Sequence, residues 1–383
     1  MKVLFLENLP YESDVRVGSH HYASRFARDG HEVFWLSHPI SPLHFLRRTR
    51  RDVPQRVRAW RDGPLEAEGV LWYSPFVVVP PADAPILRSR AVYRGVRWLS
   101  LPPLAGELVR AGFATPDVVW LTNPYYESLA ESLRVRVRAV RIADDAASFA
   151  GASPAVKQAE RRLLERADVV FAASVRLCER LSSTRPDAVW LPNGVEPDLF
   201  GAMAPEPPEY QGVPRPRIVY VGAQEYWFDA DLVAECARAL PTAAFFLIGP
   251  AVPRVSAAVA GLPNVRVLGP RKYGDLPGYL QHADLGIVPF IRDEMVDSVH
   301  PIKVYEYLAS GLSVVCVRWA EVELMQAPIR LADRRGFCRA VEEELHAPSF
   351  SREARLAYAA ANTWESRYSV VKARIEEALL RGR

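Results

Sequence analysis

Long apolar runs, closely spaced cysteines and a lopsided charge are what this chain lacks. Its N-terminal apolar run, Met1-Lys-Val-Leu-Phe-Leu6, is closed by Glu7-Asn8. That is far short of the ~20 residues that cross a bilayer, and too short for a signal-peptide core. An integral membrane protein is therefore not expected. Only four cysteines occur in 383 residues: Cys178, Cys236, Cys316 and Cys338. No two form C-x-x-C and no spacing matches a metal site, so the expectation is reduced core thiols in a cytoplasmic protein, with no zinc. The formal net charge is only +3, which supplies no global field for nucleic acid. After the first strand-like segment the chain reads Glu7-Asn-Leu-Pro10, not Gly-x-Gly-x-x-Gly. A Rossmann dehydrogenase is thereby disfavoured. Internal repeats and low-complexity tracts are absent too.

What is present is alternation. A length of 383 residues with 49% hydrophobic content suits two domains of roughly 150–200 residues each. Strands are expected at 2–6, 32–37, 70–73, 117–121, 139–143, 168–172 and 189–191. Helices are expected between them, notably at 17–28, 154–166 and 175–182. The run 204–216 carries five prolines and reads as a stiff linker. After it the pattern restarts with strands at 217–222, 243–248, 265–268, 284–290 and 312–317. Alternation of this kind predicts doubly wound parallel sheets. The expected division is 1–203, a linker at 204–216, a second domain at 217–362, and a terminal helix from 363 to 383 that crosses back onto the first domain.

The segment His300-Pro-Ile-Lys-Val-Tyr-Glu-Tyr-Leu-Ala-Ser-Gly311 carries the most chemistry. Pro301 suits a first helical turn and Gly311 a left-handed stop. A helix start offers N–H groups and a positive dipole end to an anion. Lys303 and the amides near Ile302 suit a diphosphate, while Glu306, one turn deeper, suits the paired hydroxyls of a ribose. The ligand so described is a nucleotide. An ordinary amphipathic surface helix is the competing reading, and the flanking strand-like runs weigh against it.

Two α/β domains around a Pro-rich run, with Pro301-Ile-Lys-x-x-Glu-Tyr-Leu-Ala-Ser-Gly311 in the second, resemble the GT-B class of nucleotide-sugar glycosyltransferases. Tyr220-Val-Gly-Ala223, Leu247-Ile-Gly-Pro250, Asn264-Val-Arg-Val-Leu-Gly-Pro270 and Leu191-Pro-Asn-Gly-Val-Glu196 resemble further segments of that class. Within it, Arg16-Val-Gly-Ser-His-His-Tyr-Ala-Ser-Arg-Phe-Ala-Arg-Asp-Gly30 and Asp144-Asp145 are similar to the first helix and the catalytic-acid region of the bacterial xanthan-type glucuronosyltransferase and its inverting relatives. Two departures stand out. The position of Glu306 is a glutamine in that enzyme. Many retaining members have a second glutamate eight residues earlier, where this chain has Ser298.

The resemblance implies two Rossmann-like domains flanking a cleft, and transfer from a nucleotide-sugar co-substrate, with uridine diphosphate the default. It also implies a saccharide or polyprenyl-diphosphate-linked saccharide acceptor. Asp145 is the expected general base, with Asp144 beside it; the alternative is that they cap the following helix. His20 is expected to face acceptor or donor sugar, or else to be a surface histidine. Gly222, Gln224, Ile302, Lys303, Glu306, Tyr307, Phe290, Arg271 and Tyr273 are the expected donor contacts. No Asp-x-Asp is read near a strand end of the second domain, so no metal or other cofactor is expected. The basic run from Arg47 to Arg61, with Trp60, suits either contact with an anionic membrane at the inner face of the cell or a solvated helix. A nucleic-acid partner is not expected. Two other uses of the fold remain open at this stage: a sugar-nucleotide epimerase, and a non-catalytic nucleotide-sugar-binding subunit.

Overall fold

A computed structural model of the chain describes residues 1–42, 44, 52–79, 92, 95, 98–144 and 154–381. It falls into two compact units: Met1–Leu191 with Tyr368–Arg383, and Pro192–Arg367.

The first unit contains β1 (Lys2–Leu6), β2 (Glu32–Leu36), β3 (Leu65–Ala67), β4 (Val70–Tyr73), β5 (Phe76–Val77), β6 (Ser100–Leu101), β7 (Val118–Leu121), β8 (Val137–Ile142), β9 (Val169–Ala172) and β10 (Val189–Trp190). Eight of them form one sheet in the order β10-β9-β8-β7-β1-β2-β4-β3. Every pairing in it is parallel except β3 with β4. Strands β5 and β6 make a small antiparallel pair. Helices cover both faces of a parallel sheet, so its strands are apolar on both sides; Val-Val-Trp-Leu of β7 is wholly buried. Rings line up across the sheet, with Phe5 5.6 Å from Trp35 and 5.8 Å from Trp120, and Trp120 5.6 Å from Phe171. Such pairs add about 0.5–1.5 kcal/mol each beyond simple burial.

The terminal helix Trp364–Arg381 joins this unit from Tyr368 onward. Val371, Ile375 and Leu379 are buried. The Tyr368 ring meets the Phe26 ring edge-on at 5.0 Å. Asp29 accepts from the Tyr368 hydroxyl at 2.9 Å and from Lys372 Nζ at 2.6 Å. Those hydrogen bonds, that from Lys372 foremost, hold the Asp29 carboxyl below its ordinary range.

The second unit is a six-stranded, wholly parallel sheet of β11 (Arg217–Val221), β12 (Ala244–Ile248), β13 (Val265–Gly269), β14 (Leu285–Val288), β15 (Ser313–Val317) and β16 (Arg330–Ala332). Its order, β13-β12-β11-β14-β15-β16, is the doubly wound one, in which the chain reverses direction across the sheet between its first and fourth strands. Both units therefore have the Rossmann-like architecture that the alternation predicts.

Three expectations need correction. The run 204–216 is not a linker standing apart. Pro208–Tyr210 form a 3-10 turn, Tyr210 is fully buried, and its carbonyl accepts from the Arg217 guanidinium at 3.0 Å. Proline stiffens this stretch but one aromatic anchors it, so the second unit begins at Pro192. The cysteines are not all thiols: Cys236 and Cys338 are joined as a disulfide with their Cα atoms 5.0 Å apart, and 102 residues separate them in sequence. No local spacing could announce that pairing. The basic run is not uniformly solvated either. Arg47, Arg48, Arg50 and Arg51 lie outside the described residues. Arg56, on the helix Val53–Asp62, is 2% exposed, paired with Asp52 at 3.0 Å and bonded to the His38 carbonyl. Trp60 stacks on Phe76 at 4.8 Å. Among the described residues no helix is long and apolar enough to cross a membrane.

Candidate functional site

In an open parallel sheet a crevice forms beyond the carboxyl ends of the strands where the connections reverse. In the second unit that point lies between β11 and β14. Gly222 comes directly after β11 and has φ +140°; Gly249 comes after β12 with φ +132°. A Cβ on Gly249 would lie 2.1 Å from the Gly222 carbonyl oxygen, and a Cβ on Gly222 would lie 3.0 Å from Cε of Lys303. Only glycines allow these two turns to touch and a lysine to lie across them. The lysine comes from the helix Ile302–Ala309, which is next after β14 and buries Val304, Tyr305, Glu306, Tyr307 and Leu308. Its Nζ lies 4.6 Å from the centre of the Phe290 ring and 5.5 Å from that of Tyr220. Phe290 in turn stacks on Trp319 at 5.6 Å. Ile302 and Lys303 are half-buried in the first turn, where amide N–H groups have no intrahelical acceptor.

Glu306 is 6% exposed. Burial pushes its carboxyl up to about 7, against the pull of the Lys303 charge and the Tyr273 hydroxyl. Tyr273 packs edge-on against Phe200 at 5.5 Å. Gln224 is fully buried, with its amide N–H donating to the Pro250 carbonyl at 2.8 Å and Nε2 to the Gly249 carbonyl at 3.3 Å. Its Oε1 has no hydrogen-bond partner among the described residues. Lys303, Glu306, Gly222, Phe290 and Tyr273 thus cluster through direct contacts, with Gln224 joined through Gly249. Bare first-turn amides, one cation and a buried carboxyl can take a phosphate and a neighbouring diol together.

Two expected donor contacts are otherwise engaged. The Tyr307 hydroxyl accepts from the Val221 amide at 2.7 Å and the side chain is fully buried, so it fastens the helix to β11. The Arg271 guanidinium is held by Glu209 at 2.6 Å, the Tyr279 hydroxyl at 2.8 Å and the Leu268 carbonyl at 2.7 Å. It staples the Pro-rich run to the sheet. The Asp-x-Asp spelling does occur, at Asp229-Ala-Asp231, but at a helix start: Asp229 accepts from the Leu232 amide at 2.8 Å and pairs with Arg334 at 2.7 Å. Among the described residues no three His, Cys, Asp or Glu side chains gather as metal ligands. Ser298, at the position of the retaining members' second glutamate, is buried and donates to the Met295 carbonyl at 2.8 Å.

Sequence reasoning passed over His300. It is buried between Glu321 at 2.8 Å and the Tyr305 hydroxyl at 2.7 Å, and its carbonyl accepts from Asn193 Nδ2 at 2.6 Å. These bonds fix the entry to the helix that bears Lys303. Only the family-like spelling around Asn193 hinted at it.

The first unit's switch point lies between β1 and β7. A cavity of about 380 Å³ opens there, lined by Glu7, Ser19, Thr122, Asn123, Arg141 and Asp144 among others. Asp144 is exposed at the end of β8; Asp145 lies outside the described residues. His20 does not face this space as expected. It is fully buried, its Nδ1 accepts from the Val17 amide at 3.1 Å, and its Nε2 meets the Pro10 carbonyl at 3.2 Å. Burial pushes the imidazole down to about 3, and Trp35 packs 4.5 Å away. A neutral, doubly bonded ring of this kind shapes the first loop and has no proton to exchange near neutral pH.

Comparison with known proteins adds to this geometry. The N-terminal-domain model of the glucuronosyltransferase GumK matches residues 8–173. The model of group 1 glycosyl transferases matches residues 215–345. A putative teichuronic acid biosynthesis glycosyltransferase, TuaH of Bacillus subtilis (strain 168), is 30% identical over 182 residues, which is 45% of this chain and 46% of that protein. The chain thus spans about half the length of the relative it matches. Sucrose-phosphate synthase from Thermosynechococcus elongatus shares the fold over 100% of both chains, with a TM-score of 0.72 at 13% identity. Anabaena Alr3699/HepE, solved in complex with UDP and glucose, shares it over 98% of this chain and 99% of its own, with a TM-score of 0.69 at 13% identity. With a glycosyltransferase model matched in each of two Rossmann-like units, the chain has the GT-B fold and is related to glycosyltransferases of the GumK type.

Proposed function

We propose that the protein transfers a glycosyl unit from a UDP-linked sugar to a hydroxyl of a saccharide, free or carried on a polyprenyl diphosphate, during polysaccharide or glycolipid assembly. The observation that carries this reading is the Lys303 side chain laid across Gly222, with Glu306 one turn deeper, at the switch point of the second sheet. A diphosphate leaving group gains negative charge as its bond to the sugar breaks. Fixed amides and an ammonium already aimed at that charge lower the barrier without rearranging. Glu306 then positions the nucleoside through its ribose hydroxyls. UDP is the base-bearing group to test first, because HepE holds it on the same fold. The GumK model makes glucuronate the first sugar to test.

Inversion with no obligatory metal is part of the proposal. It is supported by Ser298 standing where a second carboxylate would be needed and by the structural engagement of Asp229. We place the protein at the cytoplasmic face of the membrane, touching anionic lipid through the run from Arg47 to Arg61. Arg58 and Arg61 are exposed there, at 69% and 73%.

Thermal shift against UDP, GDP and ADP tests the donor half. A ligand at 100 times its dissociation constant stabilises by about 2.7 kcal/mol. The expected response is to UDP, reduced in Lys303→Ala and Glu306→Ala. A response to none of the three nucleotides would sink the reading, and an undiminished response in both variants would move the site elsewhere.

A further inference from the structure

We infer that the second unit binds a phosphate monoester at the amino-terminal ends of β14 and β15, where Arg352 and Arg355 line a cavity away from the donor crevice. The cavity has a volume of about 640 Å³, within the ordinary range of small-molecule sites. Its wall includes Phe200 to Glu206 in part, Asp284 just before β14, and Gly311 to Ser313 at the start of β15. The donor crevice lies at the opposite ends of the same strands. Lys303 stands in the first turn of the helix Ile302–Ala309 and Gly311 just past its end, so about 12 Å of helix separates the two places. Arg355 is 7% exposed. Its Nε donates to the Gly311 carbonyl at 3.1 Å, and its Nη1 to the Ser313 hydroxyl at 2.6 Å and the Phe350 carbonyl at 2.8 Å. Its Nη2 makes no hydrogen bond among the described residues. Arg352 lies across the Gly311 turn, where a Cβ would meet its Nε at 2.6 Å. It is exposed and has no hydrogen bond or ion pair among the described residues.

The other charged and polar groups of this wall are already engaged. Glu206 is paired with Arg217. Asp284 is paired with Arg215 and accepts from the Arg217 amide at 2.7 Å. His282 Nε2 meets the Ala204 carbonyl at 2.9 Å, and Gln281 Nε2 donates to the Phe200 carbonyl at 2.7 Å. Behind the wall, Glu344 accepts from the Ser349 amide at 3.1 Å and its hydroxyl at 2.6 Å. The helix Ile302–Ala309 brings its negative dipole end here, and Arg355 answers it through the Gly311 carbonyl. Arg352 is left over. It opens the helix Arg352–Ala361, whose positive dipole end stands at the same wall. Burial foremost, with the Arg352 charge beside it, holds the Arg355 guanidinium below its ordinary range, against the pull of Glu344 and Glu353. An anion relieves both costs. A phosphate monoester carries close to two charges and several acceptor oxygens, enough to take Arg355 Nη2 and the Arg352 fork together. A lone carboxylate offsets only one of the two cations. Phe200, Met203, Leu280 and Pro348 supply apolar wall for the body of the ester.

Titration calorimetry of the full chain with phenyl phosphate, inorganic phosphate and benzoate, at an ionic strength held constant with chloride, tests the site. Both phosphates should bind saturably, phenyl phosphate the more tightly, and benzoate at least about tenfold more weakly than phenyl phosphate. Arg352→Ala removes no hydrogen bond of the fold and should weaken phenyl phosphate by about 10- to 100-fold. Lys303→Ala should leave that affinity within about twofold, as expected of separated positions. Saturating phenyl phosphate should also leave the UDP thermal shift in place. Loss of phenyl phosphate binding in Lys303→Ala would overturn the inference by moving the anion to the donor crevice. Undiminished binding in Arg352→Ala, benzoate binding as tightly as phenyl phosphate, or no saturable binding would overturn it too. The UDP response is read separately, so the inference and the glycosyltransferase reading can each fail without the other.

Discussion

Both sheets reverse their strand order at one point, and they furnish those switch points with opposite chemistry. Beyond β11 the backbone is stripped to Gly222 and Gly249, and a lysine supplies positive charge. Beyond β1 and β7 there are side chains instead: Glu7, Thr122 and Asn123, with an acid at the heart of the cavity. A crevice lined by glycine backbone, the first turn of the Lys303 helix and an ammonium suits an anion, which needs close approach and no bulk. One walled by a carboxyl and an amide suits a neutral, hydroxyl-rich ligand, which needs directional partners. On the proposed reading, the same architecture would sort two kinds of ligand by the residues set just past each strand, not by how the strands are ordered.

The sharpest way to break the contrast is to put bulk on the bare side. Gly249→Ala should destabilise the second unit by more than about 4 kcal/mol, because its Cβ has nowhere to go short of the Gly222 carbonyl. Denaturant unfolding measures it, and a loss under about 1 kcal/mol would mean the turns can separate.

Both sites also hold a buried carboxyl raised from 4.5 to about 7. For such a group the folded form binds the proton more tightly than the unfolded one. Its contribution to stability is full below the unfolded value and is lost as pH rises through the folded one. Between pH 4.5 and 7 each should therefore remove about 3 kcal/mol from the unaltered protein. Glu7→Gln and Glu306→Gln should each flatten one share of that decline, read from melting curves at about pH 5 and pH 8. Identical slopes in protein and variants would show that the carboxyls are not desolvated as described.

Smaller effects separate the sites further. Lys303→Ala should weaken UDP binding by about 10- to 100-fold, the range of a charged hydrogen bond, with little change in stability; titration calorimetry measures it. His20→Asn should cost about 1 kcal/mol in stability through its lost bonds and leave the pH–rate profile near neutrality unmoved. A shifted profile would restore His20 to the chemistry.

How much could be read in advance depended on how local each signal was. The strands announced themselves as short apolar runs between turn residues, and the helix of Lys303 by Pro301 before it and Gly311 after it. Glu7 could not be recognised as a buried acid, because what surrounds it, Thr122 and Asn123 among others, lies more than a hundred residues away. His20 looked available at a helix start until Tyr11 and Trp35 closed over it. Tyr307 and Arg271 sat at the right places in the motif but spend their polar atoms on β11 and on Glu209. In the Pro-rich run the composition spoke of stiffness and was silent about Tyr210, whose ring decides where that run lies.

The clasp of Asp29 by Tyr368 and Lys372 sets an order of assembly during synthesis. These residues leave the ribosome after the whole second unit has been made. The first unit must therefore wait, its helix Gly18–Arg28 incompletely covered, while a later-born neighbour has all its own strands in hand. Trimming the helix Trp364–Arg381 should accordingly be felt at the helix Gly18–Arg28, made long before it.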